Sequence, residues 1–202
     1  MVKRNGCALT IVVPGTDWHR WKETYAPDAR PMQHIARTFG ARAVLFDRWV
    51  GGNTKAARRQ AAAELAALLA EELAADSADA GKKLNLVGFS HGGNVAALAT
   101  RLLGGAVVEN LVTIGTPVLA GYQPGAVGNH IHVYNPHDTT QRWGGESVTL
   151  PWAGSVGFAG RVFSTANTNI AVGIVNGRRE QRHGLLLWDE RTWREIEKHL
   201  KR

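Results

Sequence analysis

Apolar and polar positions follow two rhythms along this chain. Short apolar runs bounded by glycine, proline or charge read as strands: Cys7–Val13, Ala41–Phe46, Lys83–Val87, Asn110–Ile114, His130–Tyr134 and Arg161–Ser164. Between them lie stretches with helical spacing: Pro31–Phe39, Thr54–Ala75, Gly92–Leu103 and Glu190–Leu200. In the longest of these, Thr54 is placed to cap the start, and Leu65, Leu68, Leu69 and Leu73 share one face. Asp76 to Gly81 reads as its terminating loop. Residues 135–160 are rich in glycine and proline without a helical period and read as a long surface loop. Strands that alternate with helices build a parallel sheet covered on both faces. The expected fold class is therefore α/β, a three-layer α/β/α sandwich in a single domain over residues 1–202.

Composition narrows this only slightly. The 202 residues are 44% hydrophobic and 20% charged, as in an ordinary globular protein. Cys7 is the only cysteine, so no intrachain disulfide supports the fold, and its apolar surroundings make it a core residue. The apolar run after Lys3 and Arg4 ends at Pro14-Gly15, too soon for a signal peptide, and no stretch has the length of a membrane span. The expected location is cytoplasmic as synthesised, with export by another route left open. Formal net charge is +7, with basic clusters at Lys55-Arg58-Arg59, Arg178-Arg179-Arg182 and Lys198-Lys201-Arg202. These read as solvated helix faces and a loose tail, or as a weak attraction to an anionic membrane surface. No nucleic-acid module accompanies the charge, so nucleic acid is not an expected partner.

The chemistry is concentrated in Gly88-Phe89-Ser90-His91-Gly92-Gly93, between the third strand and the third helix. The bare G-x-S-x-G pattern is weak; its strand–turn–helix setting gives it meaning as a nucleophile elbow. In so tight a turn the flanking positions have no room for side chains, and the serine hydroxyl is left at the tip. Serine needs a base and a group to orient that base. Of eight histidines, His183 lies after the last strand and just before the last helix, and is the expected base. Asp138 follows the strand His130–Tyr134, where sites of α/β sheets assemble, and is the expected acid; Asp47 is the rival. His34 and His199 read as surface residues, and His130 and His132 as the polar face of a strand. The His91 side chain is expected to point away from the serine. Its backbone N–H, with that of Thr16 after Val13-Pro14-Gly15, is expected to form an oxyanion hole.

Together these residues resemble the α/β-hydrolase superfamily, and within it small bacterial lipases and esterases with a Gly-x-Ser-His-Gly-Gly elbow. The resemblance spans nearly the whole chain in element order. It departs at Pro14, where the family often has the histidine of a His-Gly-x segment. It implies a minimal sheet of about six strands in the order 2-1-3-4-5-6 with right-handed crossovers. It also implies cleavage of a carboxylic ester through an acyl-serine, with no cofactor and no metal; the basic charge, with tryptophans expected at the rim, would suit a phospholipid-type ester. The interval Gly115 to Asn129 is too short for a helical cap, so a rather open site bounded by the loop 135–160 is expected.

Five of the seven tryptophans, Trp18, Trp21, Trp49, Trp143 and Trp152, fall in loops expected around that site. Trp18, Trp49 and Trp143 are the expected substrate contacts, for an acyl chain, a lipid surface or a sugar ring. The alternative is that each pins its loop to the core, as Trp188 and Trp193 are expected to do at the last helix. A non-catalytic binding module on the same scaffold, and thioesterase, amidase or perhydrolase chemistry, remain alternatives. The acyl group, the alcohol and the oligomeric state are not written in the sequence.

Overall fold

β-branched runs and alternating polar positions make the sheet; alanine- and leucine-rich amphipathic segments cover it. The computed structural model describes residues 7–40, 42–75, 83–104, 108–145, 148–150, 154–175 and 182–200. The strands are β1 (Cys7–Val13), β2 (Arg42–Leu45), β3 (Lys83–Phe89), β4 (Val108–Ile114), β5 (Asn129–Tyr134), β6 (Val148–Leu150), β7 (Gly154–Val156) and β8 (Thr168–Ala171). The helices are α1 (Arg30–Phe39), α2 (Lys55–Ala75), α3 (His91–Leu103), α4 (Thr139–Trp143), α5 (Arg182–Trp188) and α6 (Glu190–His199), with a 3-10 helix over Trp18–Tyr25. One six-stranded parallel sheet runs β2-β1-β3-β4-β5-β8, and β6 and β7 form a small antiparallel hairpin.

Alternation along the strands sorts side chains into two cores. Ile11, Val13, Leu84, Leu86 and Leu111 pack with Leu65 and Leu69 of α2 and Val95 of α3. Val12, Val87, Val112, Ile131 and Val133 point the other way, onto Met32 and Ile35 of α1 and Trp193 and Ile196 of α6. Each such side chain contributes about 1.5–3 kcal/mol by leaving water. A polar row fixes the register of the central strands. Thr10, Asn85, Asn110 and Asn129 stand side by side across β1, β3, β4 and β5, and Asn110 Nδ2 donates to Asn85 Oδ1 at 2.9 Å. Slipping any strand by one residue would bury these amides without partners.

Five of the six expected strands and all four expected helices are present, and the strand order agrees with expectation. The sixth strand is corrected. Residues 161–164 are a turn whose Phe163 backbone is tied to the Asn169 side chain at 3.0 and 2.9 Å, and the sheet continues instead at β8. The span 135–160 is not a featureless loop: it holds α4 and the β6–β7 hairpin. His130 and His132 are fully buried rather than on a wet face, because a parallel sheet is covered on both sides. His34 is also buried, with its ring stacked on Trp193, whereas Trp188 is exposed. The loop at Asp76–Gly81, Trp152, Arg178, Arg179, Lys201, Arg202 and the first six residues lie outside the described residues. Among the described residues, no helix is long and apolar enough to cross a membrane.

Candidate active site

The carboxyl ends of β1, β3, β4 and β5 converge on the turn between β3 and α3. Ser90 at its tip has φ 53° and ψ −132°, a backbone conformation that favours glycine. The turn is held by Ser90 N–H to Ile114 O (2.9 Å) and Gly93 N–H to Ser90 O (3.0 Å). Three glycines let it close. A Cβ on Gly88 would lie 2.5 Å from the Gly93 Cα; one on Gly92 would collide with the carbonyl oxygens of Val13 and Pro14; one on Gly93 would collide with the Thr116 side chain. The neighbours of Gly92 are backbone at the carboxyl end of the inner strand β1 and have nowhere to go. Gly92→Ala is therefore expected to lower the unfolding free energy by at least about 3 kcal/mol. A urea midpoint equal to that of the parent protein would contradict this packing.

The loop after β1 lies directly against the serine. A Cβ on Gly15 would stand 3.1 Å from the Ser90 Cβ. The Gly15 N–H donates to the hydroxyl of buried Tyr25 at 3.4 Å, and burial raises the pKa of that phenol. Asp17 turns the chain with φ 52° and donates its N–H to Gly51 O at 3.1 Å. Thr16 sits between these anchors, and its Oγ1 is buried without a partner among the described residues. The N–H of His91, first residue of α3, opens the helix beside it.

Asp138 and His183 meet. After β5, buried Asn135 ties the chain to Ile174 through its side chain (Nδ2 to O, 3.0 Å) and accepts the Asp138 N–H on its own carbonyl at 2.9 Å. Asp138 caps the N-terminus of α4, with Oδ1 accepting from Gln141 N–H at 3.0 Å. Its Oδ2 accepts from His183 Nδ1 at 2.5 Å, and the carboxylate is fully buried. With Nδ1 carrying the proton, Nε2 is the basic nitrogen, and it has no partner among the described residues. His183 lies between the last strand and the last helix, as expected, and stands in the first turn of the short helix α5. Its ring packs on Phe89, 4.8 Å between centroids, and on Gly115, where a Cβ would lie 3.1 Å from its Cε1. Phe89 precedes Ser90, and Gly115 follows the Ile114 carbonyl that receives the Ser90 N–H. Imidazole and serine thus share one end of the sheet, without a hydrogen bond between them. Asp47 stays exposed at the end of edge strand β2.

The His91 side chain is buried, and its Nδ1 lies 3.1 Å from Asn94 Nδ2. Burial, then the charges of Arg58 and His183, push its pKa down to about 3, so it is neutral and accepts from the Asn94 amide. The tryptophan rim is largely corrected. Trp18 and Trp49 are buried, and the Trp18 indole donates to the Trp49 carbonyl at 2.6 Å, so both pin their loops. Trp143 is 55% exposed and packs on Phe158, itself 61% exposed, at 4.7 Å. Ser90 and His183 are each only 8% exposed, less open than the short 115–129 interval suggests. Gln141 and Arg161, which contact Asp138, were not singled out by sequence; the one signal was Gln141 three places after a helix-capping aspartate. Among the described residues, no group of three or more His, Cys, Asp or Glu side chains could hold a metal ion.

Comparison with known proteins agrees with this architecture. Residues 47–143 match the family model described as alpha/beta hydrolase. No curated protein matches the chain by sequence. Among solved structures, a candidate hydrolase of the alpha/beta superfamily from Xanthomonas campestris pv. campestris is similar at 18% identity and TM-score 0.52, over 96% of this chain and 99% of that one. A candidate cell surface hydrolase from Lactobacillus plantarum WCFS1 is similar at 12% identity and TM-score 0.52, over 98% of this chain and 100% of that one. By its sheet order, its strand–turn–helix elbow and these matches, the chain is an α/β-hydrolase-fold protein.

Proposed function

We propose that the protein is a serine hydrolase that cleaves carboxylic esters through an acyl-serine. The observation that carries the proposal is the buried 2.5 Å contact of Asp138 with His183, at the sheet end where Ser90 occupies its positive-φ turn. Ser90 Oγ attacks the ester carbonyl while His183 Nε2 takes its proton. The N–H groups of Thr16 and His91 hold the oxyanion. Asp138 keeps the Nδ1 proton in place and stabilises the imidazolium as it forms. His183 then protonates the departing alcohol, and the acyl group remains on Ser90. Water attacks that acyl group, gives its proton to His183, and releases the acid and the free serine. The exposed Trp143–Phe158 pair supports an apolar or ring-bearing ester, small-molecule or lipid.

A fluorophosphonate probe tests the reading without knowledge of the substrate. Ser90 Oγ displaces fluoride from phosphorus and becomes phosphonylated. The expected result is a single labelled residue, Ser90, and no label on Ser90→Ala. A folded protein that stays unlabelled would instead fit a binding module.

A further inference from the structure

We propose that Arg161 is a positioning residue for Asp138, and through it for His183, and that a buried His130–Thr113–His132 chain holds Arg161 in place. The inference rests on the reading of Asp138 and His183 as acid and base.

Asp138 is gripped at both ends. Its carboxylate faces Gln141 N–H and His183, while its backbone carbonyl accepts from Arg161 Nη2 at 2.9 Å. Arg161 comes from the turn before β8, far in sequence from α4. Without that bond, the carbonyl of a fully buried residue would lose a charged donor, and Asp138 would be held by its N–H on Asn135 and its carboxylate contacts only. A hydrogen bond to a charged group is worth more than a neutral one, about 1.5–3 kcal/mol.

Arg161 is itself fixed from below. Its carbonyl lies 2.8 Å from His132 Nε2. A carbonyl only accepts, so His132 carries its proton on Nε2 and its Nδ1 is an acceptor. Thr113 Oγ1, 2.8 Å from that Nδ1, must then donate to it. The threonine oxygen is left to accept from His130 Nε2, 3.0 Å away. His130 Nδ1 has no partner among the described residues, which suits an unprotonated nitrogen. Along the path His130, Thr113, His132 and the Arg161 carbonyl, the hydrogen bonds therefore run in one consistent direction. Burial keeps both rings neutral, His130 with a pKa pushed down to about 3 and His132 to about 4. Gln141 closes the set: its Nε2 donates to Thr116 O at 2.8 Å, so α4 is moored to the loop that follows β4. The effect is to place the Asp138 carboxylate where His183 Nδ1 meets it.

The test is made on the full chain with Arg161→Met, which keeps the aliphatic stem, and Arg161→Lys, which keeps a charged donor. The readouts are ester kinetics and the strongly deshielded proton resonance expected from the His183 Nδ1–H bonded to Asp138. R161M is expected to lower kcat about tenfold with KM within about twofold, and to shift that resonance upfield. R161K is expected to recover most of both. Should R161M not fold, Thr113→Val, which breaks the link between His130 and His132, is expected to move the resonance in the same direction. An unmoved resonance in a folded variant overturns the proposal, even if kcat falls. The resonance needs no turnover. If it shifts in a protein that hydrolyses no ester, the positioning role stands and the esterase reading fails.

Discussion

Ser90→Ala is expected to lower the turnover of short-chain esters by at least about a thousandfold while the fold persists. Alanine removes one oxygen and leaves the glycine packing of the turn untouched. What survives is the contribution of the oxyanion donors and of substrate binding, which accelerates poorly without a nucleophile. A companion substitution separates chemistry from structure. At φ 53° and ψ −132°, Ser90 occupies a region sparsely populated by any residue with a Cβ, at a cost of about 1–3 kcal/mol. Ser90→Gly relieves that strain, offset by about 0.5–1 kcal/mol of extra freedom in the unfolded chain. The net expectation is a gain of about 1 kcal/mol in urea unfolding, together with an activity loss as deep as that of S90A. Ester turnover by S90A at the parent rate would remove Ser90 from the mechanism. A glycine variant markedly less stable than the parent would show that no strain is stored in the turn.

The order of the elements, the elbow and the partnership of Asp138 with His183 were readable because each leaves a local mark. β3 is a short apolar run interrupted only by Asn85, the turn demands glycine at fixed positions, and an aspartate just past β5 stands where strand ends converge. The sixth strand left no such mark. β8 is four residues long and buries one of them, Ile170, so its pattern is weaker than that of Arg161–Ser164, where Phe163 is buried without pairing. Helix α5 was hidden by Gly184 near its start and by the run Leu185-Leu186-Leu187, which has no polar face to reveal a period.

The tryptophans show a different limit. Trp49 lies in the loop after β2 and Trp18 opens the 3-10 helix after β1, yet their indoles turn inward and one bonds the backbone of the other. Placement in a loop fixes which end of the sheet a residue occupies, not which way its ring points. The same applies to His130 and His132. Polar residues at alternating positions suggest a wet face, but β5 is covered on both faces, and the two rings satisfy each other through Thr113. That cross-strand arrangement joins β4 to β5, and no pattern along either strand alone encodes it.

Those buried rings lead to the second large effect, acid unfolding. Burial first of all pushes the pKa of His91 and His130 to about 3 and of His132 to about 4, against 6.5 for a free histidine. In the folded protein the three stay neutral down to those values; in the unfolded chain they take up protons as the pH falls through 6.5. Between the two limits the unfolded state binds more protons, so stability rises with pH and is lost on acidification. Each group contributes about 1.4 kcal/mol per pH unit, and three together about 4. Between pH 6.5 and pH 5, where the slope builds up from half its full value, that loss is about 5 kcal/mol, comparable with the whole stability of many domains. Burial shifts His34 in the same direction and adds to the effect. The protein is expected to lose stability steeply between pH 6.5 and pH 5, with urea curves that move steadily to lower midpoints from pH 7 downward. His91→Gln, which keeps a neutral polar side chain of similar reach, is expected to cut the slope by about a third. An unfolding free energy that stays level between pH 7 and pH 5 would mean that these imidazoles are not held neutral by burial, and the hydrogen-bond directions assigned from His130 to Arg161 would fall with it.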